Sequence, residues 1–125
     1  MSIKLLDCTL RDGGYYNNWD FDSDLVHDYL LCMQSVGVDF VEIGFRSLLK
    51  NGFKGAYAYS TDSFLKTLDI PDGLNLGVMI NASELLSENA RPEEIIEEFF
   101  TESSQVKLVR IAAHLREFKQ ILPVS

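Results

Sequence analysis

Short apolar runs alternate along the chain with segments in which apolar positions recur at helical spacing. The runs are predicted to be strands at residues 3–10, 40–44, 74–80 and 106–112. The intervening segments predict helices at residues 25–36, at 61 to about 68, from residue 92 to about residue 100, and from residue 115 to 122. Asp22 or Ser23 can cap the first helix, and Gly37 can end it.

The predicted strands are almost continuously apolar, which is typical of parallel strands covered on both faces. Strands that alternate with helices indicate the α/β class, built from right-handed βαβ units. The same units make either half of a closed (β/α)₈ TIM barrel or a small open doubly wound sheet.

Polar residues favour the barrel, because they follow the carboxyl ends of the predicted strands, where barrel enzymes carry their active sites. No glycine-rich nucleotide-binding pattern follows the first strand. We therefore predict one domain, residues 1–125, forming the first four βα units of a barrel with strand order 1-2-3-4. The rim residues are Arg11, Asp12, Glu42, Arg46, Asn81 and His114.

Nineteen acidic and eleven basic residues give a net charge of −8, which argues against nucleic acid and anionic membrane as partners. No apolar run approaches the length of a membrane span and no signal-peptide pattern opens the chain, so a cytoplasmic location is expected. Cys8 and Cys32 lack the spacing of a zinc or redox pair and are predicted to be reduced core residues.

Residues 6–13 read L-D-C-T-L-R-D-G, which resembles the D-x-T-L-R-D-G signature of the DRE-TIM metallolyases. That family includes 4-hydroxy-2-oxovalerate aldolase, HMG-CoA lyase, and the isopropylmalate and homocitrate synthases. Residues 109–114, V-R-I-A-A-H, are similar to the fourth strand of the hydroxyoxovalerate aldolases. The resemblance spans the chain but only strands one to four of eight.

The resemblance implies a metal-dependent aldolase or lyase that cleaves or forms a carbon–carbon bond in a 2-oxo acid or a 3-hydroxy acyl substrate. Such a reaction requires an enolate whose charge must be stabilised. By resemblance, Asp12 ligates Mg²⁺ or Mn²⁺ and Arg11 holds the enolate oxygen or the carboxylate of a pyruvate-like fragment. Without the motif, Arg11 and Asp12 would read as an ion pair that caps a loop.

Asp7, Glu42 and Arg110 are charges within apolar strands, so they are expected to pair with one another or with loop groups. Glu42 could position a metal-bound water or accept a proton, or it could form a structural ion pair with Arg110. Asn81 is predicted to contact substrate. His114 could do the same or could cap the fourth helix, while His27 falls off the apolar helix face and is predicted to be solvated.

Two departures from the family matter. The hydroxyoxovalerate aldolases have a histidine base where this chain has Tyr15, and a tyrosine with a pKa near 10 is a weak base. Tyr15 or Tyr16 could donate a proton, and residues 14–19 suggest an aromatic wall over the substrate.

The second departure is that the family's His-x-His metal ligands, on the seventh strand, are absent from these residues. We therefore expect weak metal binding and an inactive isolated chain. A noncatalytic truncated half-barrel or assembly module and an acyl-CoA condensing synthase fragment are the alternatives. Two open sheet edges also predict a homo-oligomer.

Overall fold

The computed structural model describes residues 2–87 and 91–124 of the chain, and within them it has four strands and six α-helices. The strands are β1 (Leu6–Asp7), β2 (Phe40–Phe45), β3 (Asn75–Asn81) and β4 (Val106–Ala112). The helices are α1 (Thr9–Asn17), α2 (Ser23–Val36), α3 (Asp62–Leu65), α4 (Ala82–Ser87), α5 (Pro92–Phe99) and α6 (Phe118–Ile121). Short 3₁₀ helices lie at Ala56–Ala58, Leu115–Glu117 and Leu122–Val124.

The four strands form one parallel sheet in the order β1-β2-β3-β4. Val41 of β2 pairs with Asp7 on one side and with Leu76 on the other. Met79 of β3 pairs with Arg110 of β4. The predicted α/β class and strand order are confirmed.

Local capping explains where the helices begin and end. The Asp22 carboxylate accepts from Leu25 N at 3.2 Å, and Gly37 ends α2 with a φ of 81°, which favours glycine. Thr61 caps α3 by accepting from Phe64 N, but this helix ends at Leu65 rather than at Leu68 as predicted. Pro92 opens α5, where its missing N–H costs nothing.

One face of the sheet is covered by helices. Val26 and Leu30 of α2 share an apolar cluster with Val41 and Leu76. A second cluster joins α4, α5 and α6 to β3 and β4 through Ile80, Ala82, Leu85, Ile95 and Ile121, with Val109 and Ile111 packed against it. Because successive side chains of a strand alternate between faces, Arg110 lies on the opposite face, which we call the open face.

The first strand is shorter than predicted. Residues 11–14, whose two glycines predict a loop after that strand, lie in a helix instead, so that prediction is wrong. The strand ends at Asp7 because the Asp7 carboxylate accepts from Thr9 N at 3.0 Å and from Thr9 Oγ1 at 3.1 Å. Such local side-chain bonds compete with the strand ladder. Helix α1 begins at once and carries Arg11 and Asp12.

Gly14 serves packing rather than loop flexibility. It lies inside α1, and a Cβ atom placed there would collide with the indole ring of Trp19. Trp19 is 7% exposed and donates from Nε1 to the Arg11 carbonyl at 2.9 Å. The glycine therefore allows Trp19 to pack directly on the helix that carries Arg11.

Two predictions of burial are wrong. Cys32 is exposed, because it lies on the solvent side of α2, while Cys8 is half-buried. The helical spacing of Ile95, Ile96, Phe99 and Phe100 predicts that all four form a buried face, but Phe99 is exposed, since α5 turns mainly Ile95 towards the core. No helix among residues 2–87 and 91–124 is long and apolar enough to cross a membrane.

Candidate active site

The centre of the candidate site is the Glu42 carboxylate, whose side chain is fully buried. Its Oε1 accepts from Arg11 Nε at 2.6 Å and from Arg110 Nη2 at 2.8 Å. Its Oε2 accepts from Arg110 Nε at 2.6 Å. The arrangement brings helix α1, strand β2 and strand β4 to one point on the open face, and the Glu42–Arg110 ion pair proposed from the sequence is present.

Arg11 connects the buried Glu42 to the exposed Asp12. Arg11 Nη1 lies 2.7 Å from Asp12 Oδ1, and the Arg11 side chain is 16% exposed. Asp12 is 63% exposed. The motif residues are therefore adjacent in the fold, and the hydrogen bond from Trp19 to the Arg11 carbonyl holds the backbone that carries them.

Arg110 belongs to the site although the sequence suggested only an ion-pair partner. Its Nη2 also donates to Cys8 Sγ at 3.2 Å, and its side chain is 39% exposed. The signal in the sequence was a cation inside an otherwise apolar strand. A signal of that kind indicates pairing but does not say which end of the guanidinium remains accessible.

The two arginines favour the ionised form of Glu42. Burial opposes the charge of Glu42, but hydrogen bonds from Arg110 and Arg11 outweigh it and hold the pKa of Glu42 below its ordinary value of 4.5. The hydrogen bond to Glu42 raises the pKa of Arg110. Burial opposes the charge of Arg11, whose pKa is nevertheless raised by Glu42.

Asn81 and His114 lie together, apart from the Glu42 cluster. They line a small cavity of about 180 Å³ with Ser83, Ala112, Ala113 and Glu117. The His114 N–H donates to Glu117 Oε1 at 2.9 Å, and Glu117 N donates to the His114 carbonyl, so this residue starts the 3₁₀ helix at Leu115–Glu117 through its backbone. Its side chain is exposed.

Tyr15 is 64% exposed and meets Trp19 edge-on, with ring centroids 4.8 Å apart. It also lies edge-on to Phe45 at 6.2 Å. Tyr16 is almost fully exposed, and His27 is exposed as expected for a solvated residue. The aromatic residues after the motif thus divide into a buried indole and two accessible phenols.

Asp7 does not join the Glu42 cluster. Its carboxylate accepts from the Tyr29 hydroxyl of α2 and from Thr9. These bonds hold the pKa of Asp7 below its ordinary value although burial opposes them, and burial together with Asp7 raises the pKa of Tyr29. This pair fastens α2 to β1.

Arg46 is buried among main-chain carbonyls and the Asp62 carboxylate, and it is not part of the cluster around Glu42. It lines a larger cavity, about 620 Å³, together with Lys50, Tyr59, Phe64 and other residues of the β2–α3 segment and α5. None of Arg11, Glu42 and Arg110 lines that cavity. The larger cavity and the charged cluster around Glu42 therefore lie in different parts of the fold. We take the charged cluster as the candidate site, because its side chains can carry out chemistry.

A divalent cation does not fit the donors present. Within residues 2–87 and 91–124, no three His, Cys, Asp or Glu side chains come close enough to hold a metal ion. Asp12 supplies one carboxylate, and that group is already paired with Arg11. One exposed carboxylate is too few ligands for a stable site.

No protein-family model matches the chain, and no curated protein matches it. Among solved structures it is similar to the "N-terminal domain of a putative aldolase from Bacteroides vulgatus". The two share 31% sequence identity at a TM-score of 0.82 over 98% of this chain. The sheet and helices thus have the fold of an aldolase-like half-barrel. The match spans only 39% of that neighbour's chain.

Proposed function

We propose that this chain supplies the substrate-binding half of an aldolase-type barrel that cleaves or forms a carbon–carbon bond in a 2-oxo acid. One observation carries the proposal. The buried Glu42 carboxylate holds two guanidinium groups, from Arg11 and Arg110, on the open face of a sheet that matches the N-terminal domain of a putative aldolase. Two fixed cations beside a substrate oxygen are what a developing enolate requires.

The residues of the Glu42 cluster have different roles in the proposed reaction. Glu42 orients Arg11 through its 2.6 Å hydrogen bond, and Arg11 stabilises the enolate oxygen. The motif at residues 6–13 supports the narrower proposal of a DRE-TIM metallolyase, similar to 4-hydroxy-2-oxovalerate aldolase or HMG-CoA lyase. A 3-hydroxy acyl compound is the second substrate class that such a site would take.

Asp12 would contribute one ligand to Mg²⁺ or Mn²⁺. Because the donors among the described residues do not complete a site, we expect this chain to bind either ion no better than about 1 mM. Isothermal titration calorimetry with MnCl₂ checks this. Micromolar binding would require metal ligands other than Asp12.

A noncatalytic half-barrel is the second candidate, and the pairing of the charges favours it. Arg11, Asp12 and Glu42 neutralise one another in part, so the cluster could serve only to join α1 to the sheet. In that case no small molecule would be recognised by the open face.

Titration of the chain with pyruvate and with propionate, followed by NMR, separates the candidates. If the chain is part of an aldolase, pyruvate should bind more tightly than propionate, because its oxo group adds an acceptor for Arg11. Arg11→Lys should remove that preference. Arg116→Gln, an exposed arginine outside the cluster, is the control. Equal, negligible affinity for both acids would favour the noncatalytic module.

Self-association is also proposed. The outer edges of β1 and β4 have no strand partner within residues 2–87 and 91–124, and exposed edges favour pairing with another chain. Sedimentation equilibrium at micromolar concentration should detect a dimer or larger species. A monomer over the whole concentration range would contradict this.

A further inference from the structure

We infer that Arg110 is the residue that binds the substrate's carboxylate, through the hydrogens on its Nη1 atom. The inference rests on the proposed function for the identity of the substrate as a 2-oxo acid. It assigns the carboxylate to strand β4 and leaves Arg11 for the oxo or enolate oxygen.

The hydrogen bonds of Arg110 leave one end of its guanidinium accessible. Nε donates to Glu42 Oε2 at 2.6 Å, and Nη2 donates to Glu42 Oε1 at 2.8 Å and to Cys8 Sγ at 3.2 Å. Nη1 has no hydrogen-bond partner among residues 2–87 and 91–124. Nε and Nη2 face the buried Glu42, so we assign the exposure of this side chain, 39% in all, to the end that carries Nη1.

Arg11 is less suited to the same task. Its Nε is bound to Glu42 and its Nη1 to Asp12, and only 16% of its side chain is exposed. A carboxylate arriving at Arg11 would compete with the Asp12 carboxylate at 2.7 Å for the same guanidinium. No carboxylate of the described residues is bound to Nη1 of Arg110.

The charge of the cluster favours an incoming monoanion. One Glu42 carboxylate is shared by two guanidinium groups, so the three side chains carry a net positive charge. Asp12 brings the sum to zero, but its carboxylate pairs with Arg11 and not with Arg110. A bound carboxylate would balance the charge at the Arg110 end, where hydrogen bonds between ionised groups are strong.

The arrangement also fixes Arg110 before any ligand arrives. Both nitrogens that bind Glu42 lie on one edge of the planar guanidinium, so the orientation of Nη1 is set by the buried carboxylate. A side chain ordered in advance loses less entropy on binding than a free one.

The test titrates wild-type chain, Arg110→Lys and Arg116→Gln with pyruvate, propionate and the uncharged ester methyl pyruvate, while NMR follows the arginine Nε–H resonances. Arg110→Lys keeps the positive charge beside Glu42 but lacks the fork. We expect it to weaken pyruvate and propionate binding about tenfold, with methyl pyruvate unchanged and Arg116→Gln behaving as wild type. In wild type, pyruvate should move the Arg110 resonance and not that of Arg116.

The possible results separate this inference from the proposed function. A loss for both acids in Arg110→Lys, with wild type showing no preference for pyruvate over propionate, supports the role of Arg110 and counts against the 2-oxo acid. If wild type prefers pyruvate to propionate and Arg110→Lys binds both acids as tightly as wild type does, the inference alone is overturned. If Arg110→Lys does not fold, the wild-type resonance decides, and an Arg110 signal that no carboxylate moves overturns it.

Discussion

Two arginine–carboxylate clusters lie on opposite faces of this sheet, and they differ in what they leave unpaired. On the helix-covered face, Arg46 is 2% exposed and binds Asp62 Oδ1 at 3.0 Å. On the open face, Arg110 is 39% exposed and binds Glu42. In the closed cluster every guanidinium nitrogen donates to the protein, whereas in the open cluster Arg110 Nη1 has no hydrogen-bond partner among the described residues.

Main-chain carbonyls account for the difference. Arg46 donates from Nε and Nη2 to the Ser60 carbonyl and from Nη1 to the Phe99 carbonyl, so it ties the β2–α3 segment to the end of α5. Its guanidinium also lies over the Phe100 ring, 4.6 Å from the centroid. Arg110 makes no such backbone contact among the described residues, and only side chains hold it.

The largest expected effect comes from breaking the closed cluster. Arg46→Gln should lower the free energy of unfolding by about 3–5 kcal/mol, because it removes a buried guanidinium that donates to the Ser60 and Phe99 carbonyls and leaves Asp62 Oδ1 with the Ser104 hydroxyl. Urea denaturation measures it. Arg116→Gln should change stability by less than about 0.5 kcal/mol, and equal effects in the two variants would contradict the structural role.

Glu42→Gln should cost less, about 2–3 kcal/mol, because the amide oxygen still accepts a hydrogen bond while the charge between Arg11 and Arg110 is lost. The pKa of Glu42 in the folded chain lies below its ordinary 4.5, so the unfolded state binds the proton first. The stabilisation by Glu42 is therefore complete above pH 4.5 and is lost as pH falls through the folded-state pKa.

Urea denaturation of wild type and Glu42→Gln at pH 7 and at progressively lower pH checks this linkage. Asp7 and Asp62 also have lowered pKa values and remain in the variant, so it should keep a smaller acid dependence. A variant that loses stability with acid as steeply as wild type would show that the charge of Glu42 contributes nothing.

Asp12→Asn probes the exposed end of the open cluster. Because Asp12 is 63% exposed, its ion pair with Arg11 should contribute less than about 1 kcal/mol to stability. The substitution should nonetheless abolish the weak binding of Mn²⁺. Calorimetry that finds unchanged metal affinity would exclude Asp12 as a ligand.

His114→Ala should have the smallest effect. The imidazole is exposed, and the 3₁₀ helix after it is held by the backbone of His114 and by Glu117, so stability should change by less than about 0.5 kcal/mol. If His114→Ala lowered the affinity for pyruvate, the cavity lined by Asn81 and His114 would be part of the binding site.

Much of the architecture followed from local pattern. The strand at Val106–Ala112 coincides with its apolar run, and α2 runs from the Asp22 cap to Gly37, because the signals for these elements lie within or beside them. The first strand was overestimated for the same reason. Its apolar run continues past Asp7, but hydrogen bonds from Thr9 end the strand there, and β-compatible composition does not report them.

The sequence by itself determined which charges stand in apolar strands and must be paired, since burial of a lone charge is too costly. Only the tertiary structure decided which charged side chains pair with each other. Glu42 and Arg110 are 68 residues apart, and the parallel order of β2, β3 and β4 brings them within 2.6 Å. Asp7 is also a charge within an apolar strand, but in the sheet it pairs with Val41, the residue before Glu42. Because successive residues of a strand face opposite sides of the sheet, Asp7 faces away from Glu42 and accepts from the Tyr29 hydroxyl.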